Sequence, residues 1–415
     1  MFVSRRMFAG LPMLAALHAF APRAANASVQ NQGDERTLTS LRLWLTLPQD
    51  QRGPDDSVLR TPLDRPTAEA AVRLLAADRM KQLIRAHASD VSAKRLSIGD
   101  RTMRWEERVY GSEPKTGRSL WISLHGGGNA PSEVNDQQWQ NQIRLYTPEE
   151  GVYIAPRAPT DTWNLWHEAH MDGLLQTLID VQVATKRVDP EKVYILGYSA
   201  GGDGVWQLAP RMADRFAAAA TMAGHPGDAA LPSLRNLPFA IFMGGRDTAY
   251  DRNVLAATKT RVLDELERAD PSGYVHISRI YPGLPHWMDR RDAEAIPWMA
   301  HFTRHTWPKR VVWVQDDVPE RRFYWLEIPS RANVKPGDRI DAVIRGQNVD
   351  LQGAIPDGTT LRLTDDLMNL DKSVTVTVNG KVRFRGRITR TAGSIYKSLQ
   401  QRADVSSAAT CNMTL

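Results

Sequence analysis

The stretch Val193-Tyr194-Ile195-Leu196-Gly197-Tyr198-Ser199-Ala200-Gly201-Gly202 constrains this chain more than any other. It opens as an apolar run rich in β-branched and aromatic residues, the pattern of a buried strand. It then breaks into glycine, one hydroxyl and glycine again, and Val205-Trp206-Gln207-Leu208-Ala209 beyond it suits a helix. Strand, sharp turn and helix is the setting in which Gly-x-Ser-x-Gly lifts a serine above the end of a sheet. A Cβ at Gly197 or Gly201 would crowd so tight a turn. Taken alone the motif is a weak sign. The strand in front of it favours an activated serine over a plain structural turn.

The surrounding text has one rhythm. Apolar runs at 120–124, 152–155, 193–196, 217–222, 239–243 and 275–280 read as strands, and 133–145, 174–185, 205–213, 254–267 and 293–302 read as helices between them. That alternation predicts a doubly wound, mostly parallel sheet, with ligands outside the carboxyl ends of its strands. After Pro308 the text changes to short strands at 311–314, 322–328, 340–344 and 361–363, then a hairpin over 374–384 turning at Asn379-Gly380. A second, small, mostly-β, sandwich-like domain is expected there. Residues 28–65 are polar and proline-punctuated around an apolar island at 41–45, and 67–88 show helical spacing. The expected organisation is a leader over 1–27, an N-terminal helical extension over 28–95, a catalytic domain over 96–308 and a β-rich domain over 309–415.

The leader follows from three features. Ser4-Arg5-Arg6-Met7-Phe8 is basic, 9–21 is apolar, and Ala25-Asn26-Ala27 supplies small residues before Ser28. These are the parts of a secretory signal, and the paired arginines match the twin-arginine type that exports folded proteins. A periplasmic or secreted protein is therefore expected. The apolar stretch is too short to span a bilayer, so no stable membrane span is expected. Removing Arg5, Arg6 and Arg23 with the leader takes the net charge from +6 to +3, too mild a balance for nucleic acid. Cys411 is the only cysteine, which excludes an internal disulfide and a thiolate metal site. It reads as a small buried residue of a C-terminal strand. Nothing in the sequence marks an oligomeric state.

A serine hydroxyl needs a base, and the base needs a carboxylate to orient it. Downstream of Ser199, the run 239–243 ends in Gly244-Gly245-Arg246-Asp247, an acid on a bent loop after a strand; Asp251 is the second candidate. The run 275–280 leads into Tyr281-Pro282-Gly283-Leu284-Pro285-His286-Trp287, which puts His286 at the same sheet edge, whereas His276 lies inside the strand. Leu124-His125-Gly126-Gly127-Gly128 follows another strand. Its glycines leave peptide N–H groups bare, so Gly126 and Gly127, with Ala200 beside the serine, are expected to hold an oxyanion. Trp163, Trp166 and His167 follow the strand at 152–155, and His225 follows the run 217–222; all four are candidates to line a substrate pocket. For the tryptophans a hydrophobic plug is the equal alternative. His167 and His170 lack a third ligand and the His-Glu-x-x-His spacing, so no metal is expected.

With strand-His-Gly-Gly-Gly, Gly-Tyr-Ser-Ala-Gly-Gly, Gly-Gly-Arg-Asp and Pro-His in that order, the chain resembles the secreted serine esterases of the α/β-hydrolase superfamily. Within it the likeness is to the polyhydroxybutyrate depolymerase and feruloyl-esterase-like branch. The resemblance covers about 115–306. It implies an α/β-hydrolase fold, Ser199 as nucleophile, His286 as base and Asp247 as orienting acid. It also implies a small or polymeric ester as substrate and no cofactor. The single cysteine departs from disulfide-bearing members, and the β region after 308 departs from a simple depolymerase. Two other readings stay open: a serine peptidase of the same fold, and a binding protein that kept the fold and carries an adhesion-like β domain.

Overall fold

The structure is a computed structural model that describes the backbone of residues 23–415 and the side chains from residue 35 onward. The paired arginines and the apolar stretch of the expected leader lie outside the described residues. Eight strands build the main sheet: β1 (Arg95–Ile98), β2 (Arg101–Tyr110), β3 (Arg118–Leu124), β4 (Gly151–Arg157), β5 (Val188–Tyr198), β6 (Ala218–Met222), β7 (Phe239–Gly244) and β8 (His276–Tyr281). Their order is β1-β2-β4-β3-β5-β6-β7-β8. Only β2 runs against the rest, pairing antiparallel with β1 and β4. From β4 to β8 all pairs are parallel, with Ile122 opposite Ile154 and Ile195. Strands covered on both faces must be apolar throughout. β4, β6 and β7 are accordingly buried at every position.

The longer helices are α1 (Arg23–Thr46), α2 (Arg65–Ala86), α3 (Ser132–Gln142), α4 (His170–Lys186), α5 (Ala200–Arg211), α6 (Arg252–Ala269) and α7 (Ala392–Gln401). One apolar layer packs Leu174, Leu175 and Leu178 of α4 with Val205 and Leu208 of α5 against Ile122, Ile154 and Ile195 of the sheet. The opposite face buries Trp121, Tyr153, Tyr194, Leu196 and Phe242. At about 25 cal/mol per Å² of apolar surface removed from water, these two layers are the main source of the fold's stability. The sheet therefore holds its carboxyl ends rigidly along one edge.

Beyond Pro308 there are two further sheets. The five-stranded one takes Arg310–Val314, Arg339–Arg345, Asn348–Gly353, Val374–Val378 and Lys381–Gly386; the four-stranded one takes Arg322–Phe323, Leu326–Glu327, Thr360–Leu363 and Cys411–Thr414. Asn379 and Gly380 turn their hairpin with φ of 48° and 78°, as a two-residue turn between twisted strands requires. The run 322–328, expected as one strand, is two short antiparallel strands. Tyr324 takes φ 53° at the turn, and its N–H donates to buried Asp214 of the main body. Cys411 is buried in the last strand.

The N-terminal segment differs more from expectation. Where 28–65 reads as polar and proline-punctuated, α1 runs through to Thr46. Leu41 and Trp44 on it pack with Leu59, Leu75 and, from the far end of the chain, Ile395 and Leu399 of α7. Pro62 and Leu63 pair antiparallel with Arg390 and Thr391. The N-terminal helices are thus anchored on C-terminal residues as well as on the main domain.

Candidate active site

Ser199 sits between β5 and α5 with φ 57° and ψ −123°. That conformation is costly for a residue with a Cβ, and costs of this kind persist where surrounding structure fixes them. Here the Ser199 N–H donates to Met222 O at 2.9 Å and its carbonyl accepts from Asp203 N at 2.9 Å. The flanking glycines are required by contact. A Cβ on Gly201 would lie 2.0 Å from Leu124 O, and one on Gly197 would lie 2.1 Å from Gly201 O. The turn can be this tight only with glycine on both sides.

The other candidates arrive from neighbouring strand ends. The loops after β7 and β8 are bonded to each other: Gly245 N donates to Tyr281 O at 2.8 Å and Arg246 N to Leu284 O at 2.9 Å. A Cβ on Gly244 would meet Pro285 O at 2.0 Å, so the pair of loops closes only over glycine. This brings His286 Nδ1 to 2.6 Å from Asp247 Oδ2. Asp247 is buried, whereas the His286 ring is about two-fifths exposed at 42%. Asp251, the second acid considered, is exposed at the start of α6 and does not meet His286. His276 stays within β8, its Nδ1 at 2.8 Å from Tyr274 O.

Ser199 and His286 line one cavity of about 500 Å³ with Gly126, Gly127, Tyr198 and Trp287. Among the described residues no hydrogen bond joins the serine hydroxyl to the ring, and Nε2 has no protein partner. Such contacts are often long before a substrate binds. Tyr198, to which the sequence assigns no role, ties the His286 loop down. Its hydroxyl donates to His286 O at 2.6 Å and accepts from Met288 N at 3.1 Å.

The glycine loop is set by two buried side chains. His125 is fully buried; burial pushes its pKa down to about 4, so the ring is neutral. Its Nε2 accepts from Ala158 N at 3.2 Å, which leaves Nδ1–H to donate to Gly126 O at 2.6 Å. A trans peptide points its N–H opposite to its C=O, so holding the Gly126 carbonyl also aims the Gly127 N–H. Buried Asn135 accepts from Gly128 N at 2.8 Å and donates to Ala130 O at 3.0 Å. Gly126 itself abuts the elbow serine, its Cβ position 3.1 Å from Ser199 Cβ. Ala200 opens α5, where backbone N–H groups have no helical acceptor.

A second cavity of about 560 Å³ adjoins the first at Gly127 and includes Ala200, Trp163, His167 and His225. Trp163 is largely exposed at its mouth, with its ring 5.6 Å from that of His167. Burial, with Arg211 nearby, lowers the His167 pKa to about 4. Trp166 does not line either cavity. It is fully buried, donates from Nε1 to His125 O at 2.9 Å, and fills the space beside Gly204 of α5. This is a packed position, with the indole buried against α5 and not on a cavity wall. His170 pairs with Glu168 at 3.3 Å, and among the described residues no cluster of three His, Cys, Asp or Glu side chains is arranged to hold a metal ion. No described helix is long and apolar enough to cross a membrane.

No protein-family model matches the sequence. Over 41% of its length the chain is 29% identical to "Putative esterase NocK" of Nocardia uniformis subsp. tsuyamanensis. The match spans 51% of that relative, about half its length. Among solved structures, LpqC, a poly(3-hydroxybutyrate) depolymerase from Bordetella parapertussis, is 17% identical over 51% of this chain and 97% of its own, with a TM-score of 0.36. A thermostable esterase is 19% identical over 51% of this chain and 63% of its own, with a TM-score of 0.35. By its strand order and by the elbow that carries Ser199, this chain has the α/β-hydrolase fold, and over part of its sequence it is similar to a protein named as an esterase.

Proposed function

We propose that this protein hydrolyses carboxylic esters through an acyl-enzyme on Ser199. The observation that carries the reading is an imidazole held at 2.6 Å by a buried carboxylate and sharing a cavity with a serine on a strained elbow. Asp247 fixes the tautomer of His286 with Nδ1 protonated, so Nε2 is the basic nitrogen. His286 takes the Ser199 proton as Oγ attacks the ester carbonyl carbon, and Asp247 stabilises the imidazolium. Charge developing on the carbonyl oxygen is met by the N–H groups of Ala200 and of Gly126 and Gly127. The tetrahedral intermediate collapses as His286 returns the proton to the leaving alkoxide. Water, deprotonated by the same ring, then releases the acid. No step calls for a cofactor. His286 faces only the 500 Å³ cavity, which therefore suits the leaving alcohol; the 560 Å³ cavity on the oxyanion side suits the acyl group.

A fluorophosphonate probe should label the wild-type protein and not Ser199→Ala, and hydrolysis of p-nitrophenyl esters should fall by about 10⁴-fold or more in that variant. Retained turnover in Ser199→Ala would discard the assignment. Export is part of the same proposal: the mature protein recovered from the periplasm or medium should begin near Ser28, and Arg5→Lys with Arg6→Lys should keep it inside the cell.

A further inference from the structure

We infer that the acyl cavity is built for an acid that carries a second, negatively charged group, held by Arg252. This rests on the ester-hydrolase reading above. Arg252 lines the cavity that Ala200 and Gly127 share with the nucleophile's surroundings. It is the first residue of α6, an 18-residue helix, and a guanidinium there meets the positive end of the helix dipole. No acidic residue occupies that first turn, and no side chain caps it. Among the described residues Arg252 forms no ion pair with any carboxylate. Its one hydrogen bond is a 3.4 Å donation from Nη1 to Ala249 O, and Nε is buried without a partner. Arg235, by contrast, is committed to an acid, Asp270, at 2.6 Å. A cation left unpaired at a helix start, facing a cavity, is a site for an anion.

The backbone spends strain to put it there. Tyr250 and Asp251 both take left-handed conformations, with φ of 55° and 56°, and neither is glycine. This double twist places the Tyr250 ring 4.9 Å from the Arg252 guanidinium, and both side chains line the cavity. Of the two carboxylates in the same cavity, Asp203 feels the charge of Arg252 without an ion pair to it, and each has one oxygen engaged. Asp203 Oδ1 accepts from His225 N at 2.5 Å, and Asp228 Oδ1 accepts from Gln207 Nε2 at 3.2 Å. Among the described residues Arg252 is the one guanidinium or ammonium group lining this cavity, and a dicarboxylic half-ester is the simplest acyl group that would use it.

The test compares the mono-p-nitrophenyl ester of glutaric acid with p-nitrophenyl pentanoate, which matches it in length but has no charge. Wild-type kcat/KM should favour the glutarate ester, and Arg252→Gln should remove that preference by about tenfold or more while leaving the pentanoate ester within about twofold. Arg252→Lys should restore part of it. Equal loss on both esters, or a shift of the acid limb of both pH profiles together, would mean that Arg252 only balances Asp203, and would overturn the proposal. Should neither ester be cleaved, the hydrolase reading fails, and the cavity is then judged by calorimetry of glutarate binding to the Ser199→Ala protein. Binding lost in the Ser199→Ala, Arg252→Gln double variant supports the anion site; no binding, or binding indifferent to Arg252, overturns it.

Discussion

Tyr198 stands beside the serine in sequence and beside the histidine in space. Its phenol both donates and accepts, to His286 O at 2.6 Å and from Met288 N at 3.1 Å, and its ring meets the imidazole edge-on at 5.9 Å. Phenylalanine would keep the ring contact and free the histidine loop. Tyr198→Phe is expected to lower kcat about tenfold with KM nearly unchanged, since misplacing a base costs rate before it costs binding. The stability loss should be about 1–2 kcal/mol, the worth of one or two ordinary hydrogen bonds. Steady-state kinetics beside a thermal melt separates the two effects, and an unchanged kcat would reduce Tyr198 to packing. No sequence signal marks this role, because the position reads as one more apolar strand residue. Ser199, Asp247 and His286 are legible for the opposite reason: each follows an apolar strand and is flanked by glycine or proline. Trp166 could be read only as one of two equal possibilities, since whether an indole plugs or lines a pocket depends on α5, which approaches from elsewhere in the chain.

The elbow is where element geometry and chemistry meet. β3, β5 and α5 converge so closely that Gly201 has backbone, not a flexible side chain, at 2.0 Å from its missing Cβ. Gly201→Ala must push Leu124 or the start of α5 aside, and should cost about 3 kcal/mol or more in urea unfolding, at the upper end for overpacking. Gly283→Ala is the matched control, because nothing lies within 4 Å of its Cβ position and its φ is not in the left-handed region. It should be neutral or gain a few tenths of a kcal/mol. The parallel strands were legible since burial on both faces makes them apolar runs bounded by turns. α1 was not, because its stabilising partners are far away: Leu41 and Trp44 meet Ile395 and Leu399 of α7, near the other end of the chain. The same holds at 322–328, where Asp214 captures the Tyr324 N–H and folds what looks like one strand into two.

Across the whole molecule, the sheet whose strand ends carry Ser199, Asp247 and His286 and the β-rich region share one unbroken apolar cluster, from Leu96 and Ile195 to Leu361 and Met413. Buried charges stitch the same boundary. Asp214, just after α5, accepts from Arg402, and Arg304 Nη1 donates to Asp214 O at 3.0 Å. Asp404, nearly devoid of solvent contact, lies 2.7 Å from Arg304 Nη2 and 3.9 Å from Arg215 Nη1, and its Oδ1 accepts from Ser407 N at 3.3 Å. Burial alone would push this carboxyl up, but Arg304, Arg215 and Ser407 outweigh it and hold it well below the usual range. A depressed acid stabilises the fold fully above its unfolded pKa, about 3.9, and the stabilisation is lost as pH falls from there through the folded value. Asp404→Asn leaves Arg304 without its carboxylate and Arg215 with Asp180 alone, so it should cost about 3–5 kcal/mol at pH 7. Below pH 4 the unfolded wild-type chain binds a proton at this carboxyl that the folded protein does not, so the gap between the two proteins should narrow. Urea unfolding at pH 7 and pH 3 measures both numbers, and a gap independent of pH would show that the carboxylate's charge contributes nothing to joining the two halves.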